Sequence, residues 1–178
     1  VEVGRHLNIE LKTLCEVKAI KGTAGNFKVE ILQHPRYVDM EKCIACGECA
    51  AKCPKKVSDS FNADLAKRKA IYVDYAQAVP LKYAIDAENC IYFNKNGKCG
   101  FCKKICPTGA VDFEQQEEIV SLDVGSVIMA PGFSAYKPED LDSYQYSQYP
   151  NVITSLEMER ILSATGPYQG HLVRPSDG

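Results

Sequence analysis

The residues best suited to chemistry in this chain are cysteines, and they fall in two regular runs. One reads Cys43-x2-Cys46-x2-Cys49-x3-Cys53-Pro54. The other reads Cys90-x8-Cys99-x2-Cys102-x3-Cys106-Pro107. Eight of the nine cysteines lie in these runs, and both runs close on Cys-Pro. Thiolates are soft donors that select iron–sulfur clusters and soft metal ions. Three sulfurs two residues apart share the concave side of one tight loop, where backbone N–H groups also face the centre. The sulfur before proline cannot reach that same centre without distortion. The chemistry implied is one-electron transfer.

This spacing is that of a two-cluster bacterial ferredoxin, in which the fourth cysteine of each run ligates the other cluster. The expected ligand sets are therefore Cys43, Cys46, Cys49 and Cys106 for one [4Fe–4S] cube. Cys90, Cys99, Cys102 and Cys53 would hold the second. Gly47 and Gly100 each adjoin a ligand, where a backbone lacking Cβ can approach a sulfide. The prolines fix φ and lack an N–H, so they turn the chain away from the cluster. The eight residues between Cys90 and Cys99 form an expected bulge, and Lys95 and Lys98 in it are expected to raise the potential of the nearby cube. Structural zinc leaves the repeated Cys-Pro ending unexplained, and disulfides fit the tight runs still less well. Cys15 stands alone beside Leu14 and Val17 and reads as a buried structural thiol. His6, His34 and His171 show no metal-binding spacing and read as surface or hydrogen-bonding residues. No nucleophile motif, P-loop or GxGxxG is present, so no catalytic residue is assigned.

The elements that must position these sulfurs divide the 178 residues into three segments. Residues 1–34 read as β-rich. Short strands are expected at Asn8 to Leu11 and Val17 to Ile20, with a hairpin turn leading to a strand at Phe27 to Ile31. Residues 35–114 form the cysteine module. Strands are expected at Tyr37 to Asp39, Ala70 to Val73, Tyr83 to Asp86 and Ala110 to Phe113, with helical turns at Glu48 to Lys52 and near Asn62 to Lys67. The second half of the module echoes the first, as a pseudo-twofold arrangement with one cluster per half would. Residues 115–178 return to alternating β sequence over Glu117 to Val124. The apolar run Ser126 to Ala130 is expected to be a strand buried on both faces. Thr154-x-x-Glu157 marks a capping box opening a helix, with Met158, Ile161 and Leu162 on its apolar face and Gly166-Pro167 as its stop. Similar β sequence on both sides suggests that the module is inserted into a host domain. The host pieces look too short to close a sheet by themselves, so the remainder must come from further sequence or a partner.

Net charge is −2, which gives no electrostatic footprint for nucleic acid. The Lys67-Arg68-Lys69 run reads as a solvated element end. No apolar stretch approaches the length of a membrane span, and no secretory leader opens the chain. Val1 in place of a start methionine suggests a fragment or processed chain. Tight cysteine runs point to a reducing compartment, and the expected location is cytoplasmic.

The strings flanking the cysteines carry a more specific resemblance. They include Val3-Gly4-Arg5-His6, Asn8-Ile9-Glu10-Leu11, Pro35-Arg36-Tyr37-Val38-Asp39, Gln77-Ala78-Val79-Pro80, Cys90-Ile91-Tyr92-Phe93 and Cys106-Pro107-Thr108-Gly109-Ala110. Tyr149 to Glu157 and Arg174 to Gly178 continue the match. On these the chain resembles the A subunit of the CoB–CoM heterodisulfide reductases. The resemblance implies an α+β fold in which a two-cluster ferredoxin module is inserted into pieces of a thioredoxin-reductase-like FAD domain. Residues 1–34 and 115–178 would be parts of that FAD domain, and the clusters would carry electrons between flavin and other centres. It further implies a flavin-based electron-bifurcating complex. The partners there would be other heterodisulfide reductase subunits and an electron-donating hydrogenase or dehydrogenase subunit. Such flavoproteins end a strand in Ala-Thr-Gly near FAD. Here Ala130-Pro131-Gly132 stands in that place, so Ala130 and Gly132 are the candidates for close approach to FAD. A stand-alone ferredoxin-like carrier, or an electron-transfer subunit of another anaerobic oxidoreductase, is the alternative.

Overall fold

The computed structural model describes residues 2–136 and 138–177, without the side chains of Arg5 and Asp140. Its largest sheet comes from the two flanks. Strand β1 (Cys15–Thr23) and β2 (Asn26–Gln33) form a hairpin closed by Ala24 and Gly25, with Thr23 paired to Asn26. Strand β7 (Glu118–Val124) then pairs antiparallel with β2, from Phe27 opposite Val124 to Gln33 opposite Glu118. The order is β1-β2-β7, so everything between residues 33 and 118 departs from and returns to one end of the same ladder. The flanks alone thus build a three-stranded sheet, which stays open at β1 and β7 among the described residues. The period-2 pattern of β2 and β7 suffices, because directly opposed residues share a face. Phe27, Val29 and Ile31 meet Val124, Leu122 and Val120 on one side. Ile20 and Val17 of β1 join them opposite Val29 and Ile31, with a bulge between Val17 and Ala19.

Between these strands lies the cysteine module. It contains β3 (Lys56–Ser58) paired with β4 (Lys67–Lys69), and β5 (Ile71–Tyr72) paired with β6 (Ala84–Ile85). Helix α1 (Glu48–Ala51) and helix α3 (Phe101–Ile105) pack together, while α2 (Ile91–Asn94) follows Cys90. The two halves are stitched by a bridge between Val38 and Val111, flanked by Asp39 N–H to Ala110 O at 2.7 Å and Asp112 N–H to Tyr37 O at 3.0 Å. Four-residue strands expected at Ala70 to Val73 and Ala110 to Phe113 are thus shorter than their alternation suggested. The ligand loops leave room for only one or two ladder steps on each side. The core gathers Val38, Ile71, Ile85, Val111 and Phe113 around the buried cysteines. Tyr92 stacks on Phe113 at 3.7 Å between ring centroids, and Phe93 meets both edge-on.

Three further expectations change. Asn8 to Leu11 is an irregular segment following a turn rather than a strand. The helical turn near Asn62 is a 3-10 turn over Ser60–Asn62, ended by left-handed Ala63 and Asp64. The run Ser126 to Ala130 is irregular and unpaired, and Ile128 is 91% exposed. Its apolar character has no partner strand among the described residues.

Helix α4 (Ser155–Leu162) opens on the expected capping box. The Thr154 hydroxyl accepts from the Glu157 N–H while the Glu157 carboxylate accepts from the Thr154 N–H. The other Glu157 oxygen accepts from Tyr146, whose hydroxyl this pushes up to about 12. The helix ends at Leu162, before Gly166. Ile161 is completely buried, and Arg160 reaches the cysteine module. Its guanidinium donates twice to Asn62 Oδ1 and lies over the Phe61 ring.

Candidate metal centre

Each central helix of the module starts at a glycine in the left-handed region. Gly47 has φ 85° before α1 and Gly100 has φ 112° before α3. That conformation, open to glycine at no steric cost, folds the ligand loop back over the helix start. It brings Cys49 and Cys102, the second residue of each helix, towards the sulfurs that precede them.

Two apolar cavities result. One is lined by Cys43, Cys46, Cys49 and Cys106, with Val38, Tyr83 and Val111 behind them. The second is lined by Cys53, Cys90, Cys99 and Cys102, with Ile71, Ile85 and Tyr92. The structure therefore brings together three sulfurs of one run with the pre-proline sulfur of the other, twice. Cys43, Cys49 and Cys90 are buried, while Cys46 is exposed at the rim of its cavity. Among the described residues, no three Cys, His, Asp or Glu side chains converge as tightly as a single metal ion requires. Each quartet surrounds a space instead.

The electrostatics of these cavities favour the neutral thiol. Burial pushes the Cys49 thiol up to about 12, against a hydrogen bond from the Ala50 N–H. Burial likewise takes Cys102 up to about 11, with the nearby sulfurs of Cys90, Cys53 and Cys99 adding to it, and raises Cys90. At Cys106 burial also pushes upward. The Thr108 hydroxyl and the N–H groups of Ala110, Thr108 and Val111 outweigh it and hold the thiol below its ordinary range. Four anionic sulfurs in an apolar pocket repel one another and lose hydration, so they need a positively charged body between them. An iron–sulfur core of soft iron ions meets that need, and the donor set fits it.

The remaining candidates lie elsewhere. Cys15 is half-buried, and its thiol donates to the Thr13 carbonyl at 3.3 Å. His34 makes a clasp at the base of the sheet, bonding Glu117 through Nδ1 at 2.8 Å and Glu16 through Nε2 at 3.1 Å. Ala130 and Gly132 are exposed in the unpaired segment. Lys95 and Lys98 are exposed as well, where water and salt screen them. The Lys67-Arg68-Lys69 run is only partly solvated. Lys67 is exposed, but Arg68 lies 3.6 Å from the Tyr72 ring centroid and bonds Asp86 at 3.2 Å. Lys69 turns inward to the Cys53 carbonyl, and Lys82 donates to the Cys43 carbonyl at 2.6 Å. Sequence reasoning passed over Lys82 and read Lys69 as part of a solvated run. Nothing in their neighbours separates them from surface lysines until the chain is folded.

Known proteins share both the cysteine pattern and the flanking sequence. Residues 36–57 match the 4Fe-4S binding domain family. Over all 178 residues the chain is 47% identical to the iron–sulfur A subunit of the CoB–CoM heterodisulfide reductase of Methanocaldococcus jannaschii, covering 26% of that protein. It is 43% identical, again over its whole length and 26% of the relative, to the A subunit of the H2:CoB-CoM heterodisulfide,ferredoxin reductase of Methanothermobacter thermautotrophicus. Over its whole length the chain is similar to one part of these heterodisulfide reductase A subunits. A protein of Archaeoglobus profundus named for its likeness to the same A subunit is 43% identical over 200 aligned residues, which take in 99% of this chain and 28% of the relative. The chain thus spans about a quarter of the length of the curated relatives it matches. Among the described residues, no helix is long and apolar enough to cross a membrane.

Proposed function

We propose that this segment of a heterodisulfide reductase A subunit carries electrons through two [4Fe–4S] clusters, one in each cysteine-lined cavity. Cys43, Cys46, Cys49 and Cys106 would hold the first, and Cys90, Cys99, Cys102 and Cys53 the second. The observation that supports this reading best is the pairing of each loop triplet with the pre-proline sulfur of the opposite run. Bound there, the clusters supply one-electron carriers at fixed separation. The chain's own residues do the rest. Val38, Ile71, Ile85 and Val111 exclude water from the cavity walls, and backbone N–H groups such as that of Ala110 donate to sulfur, here to Cys106 at 3.3 Å. Each half would lend one cysteine to the other's site, Cys106 to the first and Cys53 to the second, which would tie the two sites together.

In the complete protein the sheet of β1, β2 and β7 and the exposed segment around Ala130 and Gly132 would belong to a thioredoxin-reductase-like FAD domain. Residues 35–114 would be the inserted module, with residues 1–34 and 115–178 the pieces of the host. FAD would approach the backbone at Ala130 and Gly132, where Pro131 offers no N–H. The whole protein would act in the cytoplasm as an oxidoreductase in a heterodisulfide reductase complex. Its partners would be the other reductase subunits and an electron-donating hydrogenase or dehydrogenase subunit, in a flavin-based bifurcating reaction. The apolar face of the sheet favours this over a stand-alone carrier, which has no use for it. EPR of the reduced full-length protein, with iron and flavin quantitation, tests the reading. Two interacting cubes assigned to this segment and one FAD per chain are expected. A flavin-free monomer, or zinc in place of iron and sulfide, would overturn it.

A further inference from the structure

The stretch between the two cysteine runs is long, and two of its lysines end on ligand cysteines. Lys82 Nζ donates to the Cys43 carbonyl at 2.6 Å, and Lys69 Nζ donates to the Cys53 carbonyl. Cys43 lines one cavity and Cys53 lines the other, so each cavity has one ammonium bonded to the backbone of a cysteine in its wall. Both lysines are half-buried, and neither meets a carboxylate among the described residues. Their own backbones are fixed in parallel fashion. Arg36 donates to the Lys82 carbonyl at 3.3 Å, and Arg68 donates to the Lys69 carbonyl at 3.2 Å. Lys95 and Lys98 lie exposed, whereas Lys55 is half-buried and lines the Cys53 cavity without a side-chain bond to a ligand cysteine.

We propose that Lys82 and Lys69 are positioning charges that set the reduction potentials of the two cubes separately, Lys82 acting on the site of Cys43 and Lys69 on the site of Cys53. The inference rests on the two-cluster reading above and deepens it. Reduction adds one negative charge to a cube. A nearby ammonium that is partly withdrawn from water stabilises that added charge more than an exposed lysine does, because the intervening medium screens it less. Cluster potentials respond to net charge and to hydrogen bonding around the sulfurs. The thiolates hold the cube, and the lysines act on its potential alone. The long insert then has a purpose that a minimal carrier lacks: it delivers one charge to each site.

The test is EPR-monitored potentiometry of the reconstituted full-length protein carrying Lys82→Gln or Lys69→Gln, each of which keeps a donor for the carbonyl but removes the charge. Each variant is expected to retain its iron and to lower one reduction step. At the potential where the wild-type cube is half reduced, the reduced-to-oxidised ratio falls about tenfold, equivalent to about 59 mV for a one-electron couple. The two variants affect different steps, and Lys82→Arg and Lys69→Arg restore the wild-type values. A ratio within twofold of wild type at full iron overturns the proposal. So does a shift of the same step by both variants. Loss of iron from a Gln variant that the Arg variant repairs also overturns it, since the lysine would then be an assembly element. Failure of the two-cluster reading is seen separately, as unchanged iron in Cys53→Ser and Cys106→Ser.

Discussion

The cysteine module and the sheet that brackets it solve the problem of burial in opposite ways. The module turns its apolar residues inward on two cavities and completes its core with its own halves, Val38 against Val111 and Tyr37 against Phe93. The sheet gathers an apolar face of similar quality, yet Val29 alone of that face is buried, and Val17 is 60% exposed. Isolated apolar side chains on a surface are ordinary, whereas a contiguous apolar face marks contact with something else. The difference separates a unit closed around two cysteine-lined cavities from a sheet whose apolar face stays open among the described residues.

The largest effect expected from breaking this contrast is at a shared sulfur. Cys106→Ser removes about half the iron of this segment, because that sulfur comes from the far half of the module, while Cys15→Ser leaves iron unchanged. Iron and sulfide analysis reads both. Next is Ile161→Ala, which empties a completely buried site on α4 and costs about 2–5 kcal/mol in chemical denaturation of the full-length protein. A smaller effect probes the sheet. Val17→Lys costs the full-length protein about 2 kcal/mol if its apolar face is covered there, on the scale of one buried aliphatic side chain. An unchanged midpoint would mean that the face stays in water, and the contrast drawn above would fall.

The smallest effect is at the joint between the two regions. Hydrogen bonds to Glu117 and then Glu16 raise the His34 pKa. A group raised on folding contributes stability that is fully present below its unfolded value of about 6.5 and is lost as pH rises through the higher folded value. Thermal melts across that window should therefore decline with rising pH, and His34→Ala should flatten the decline.

Much of the site was legible from residue order alone. Spacing and the Cys-Pro endings set which sulfurs gather, and the cavities group them in the same quartets. The hairpin of β1 and β2 and the capping box of α4 were equally readable, since alternation and caps are local signals. Ser126 to Ala130 misled because a continuous apolar run states a need for burial without supplying the neighbours that provide it. Long-range pairings left no local trace. Arg160 on Asn62 joins residues 98 positions apart, and Lys82 reaches Cys43 across 39.

The pairing of Gln33 with Glu118 carries a consequence of its own. The two points where the module leaves and re-enters the ladder are adjacent residues on neighbouring strands, about 5 Å apart. A short turn could therefore splice β2 directly to β7 and leave a continuous three-strand meander. The cysteine module is in this sense a cassette: it leaves and re-enters the sheet at one seam, without a single rung of the ladder being redrawn.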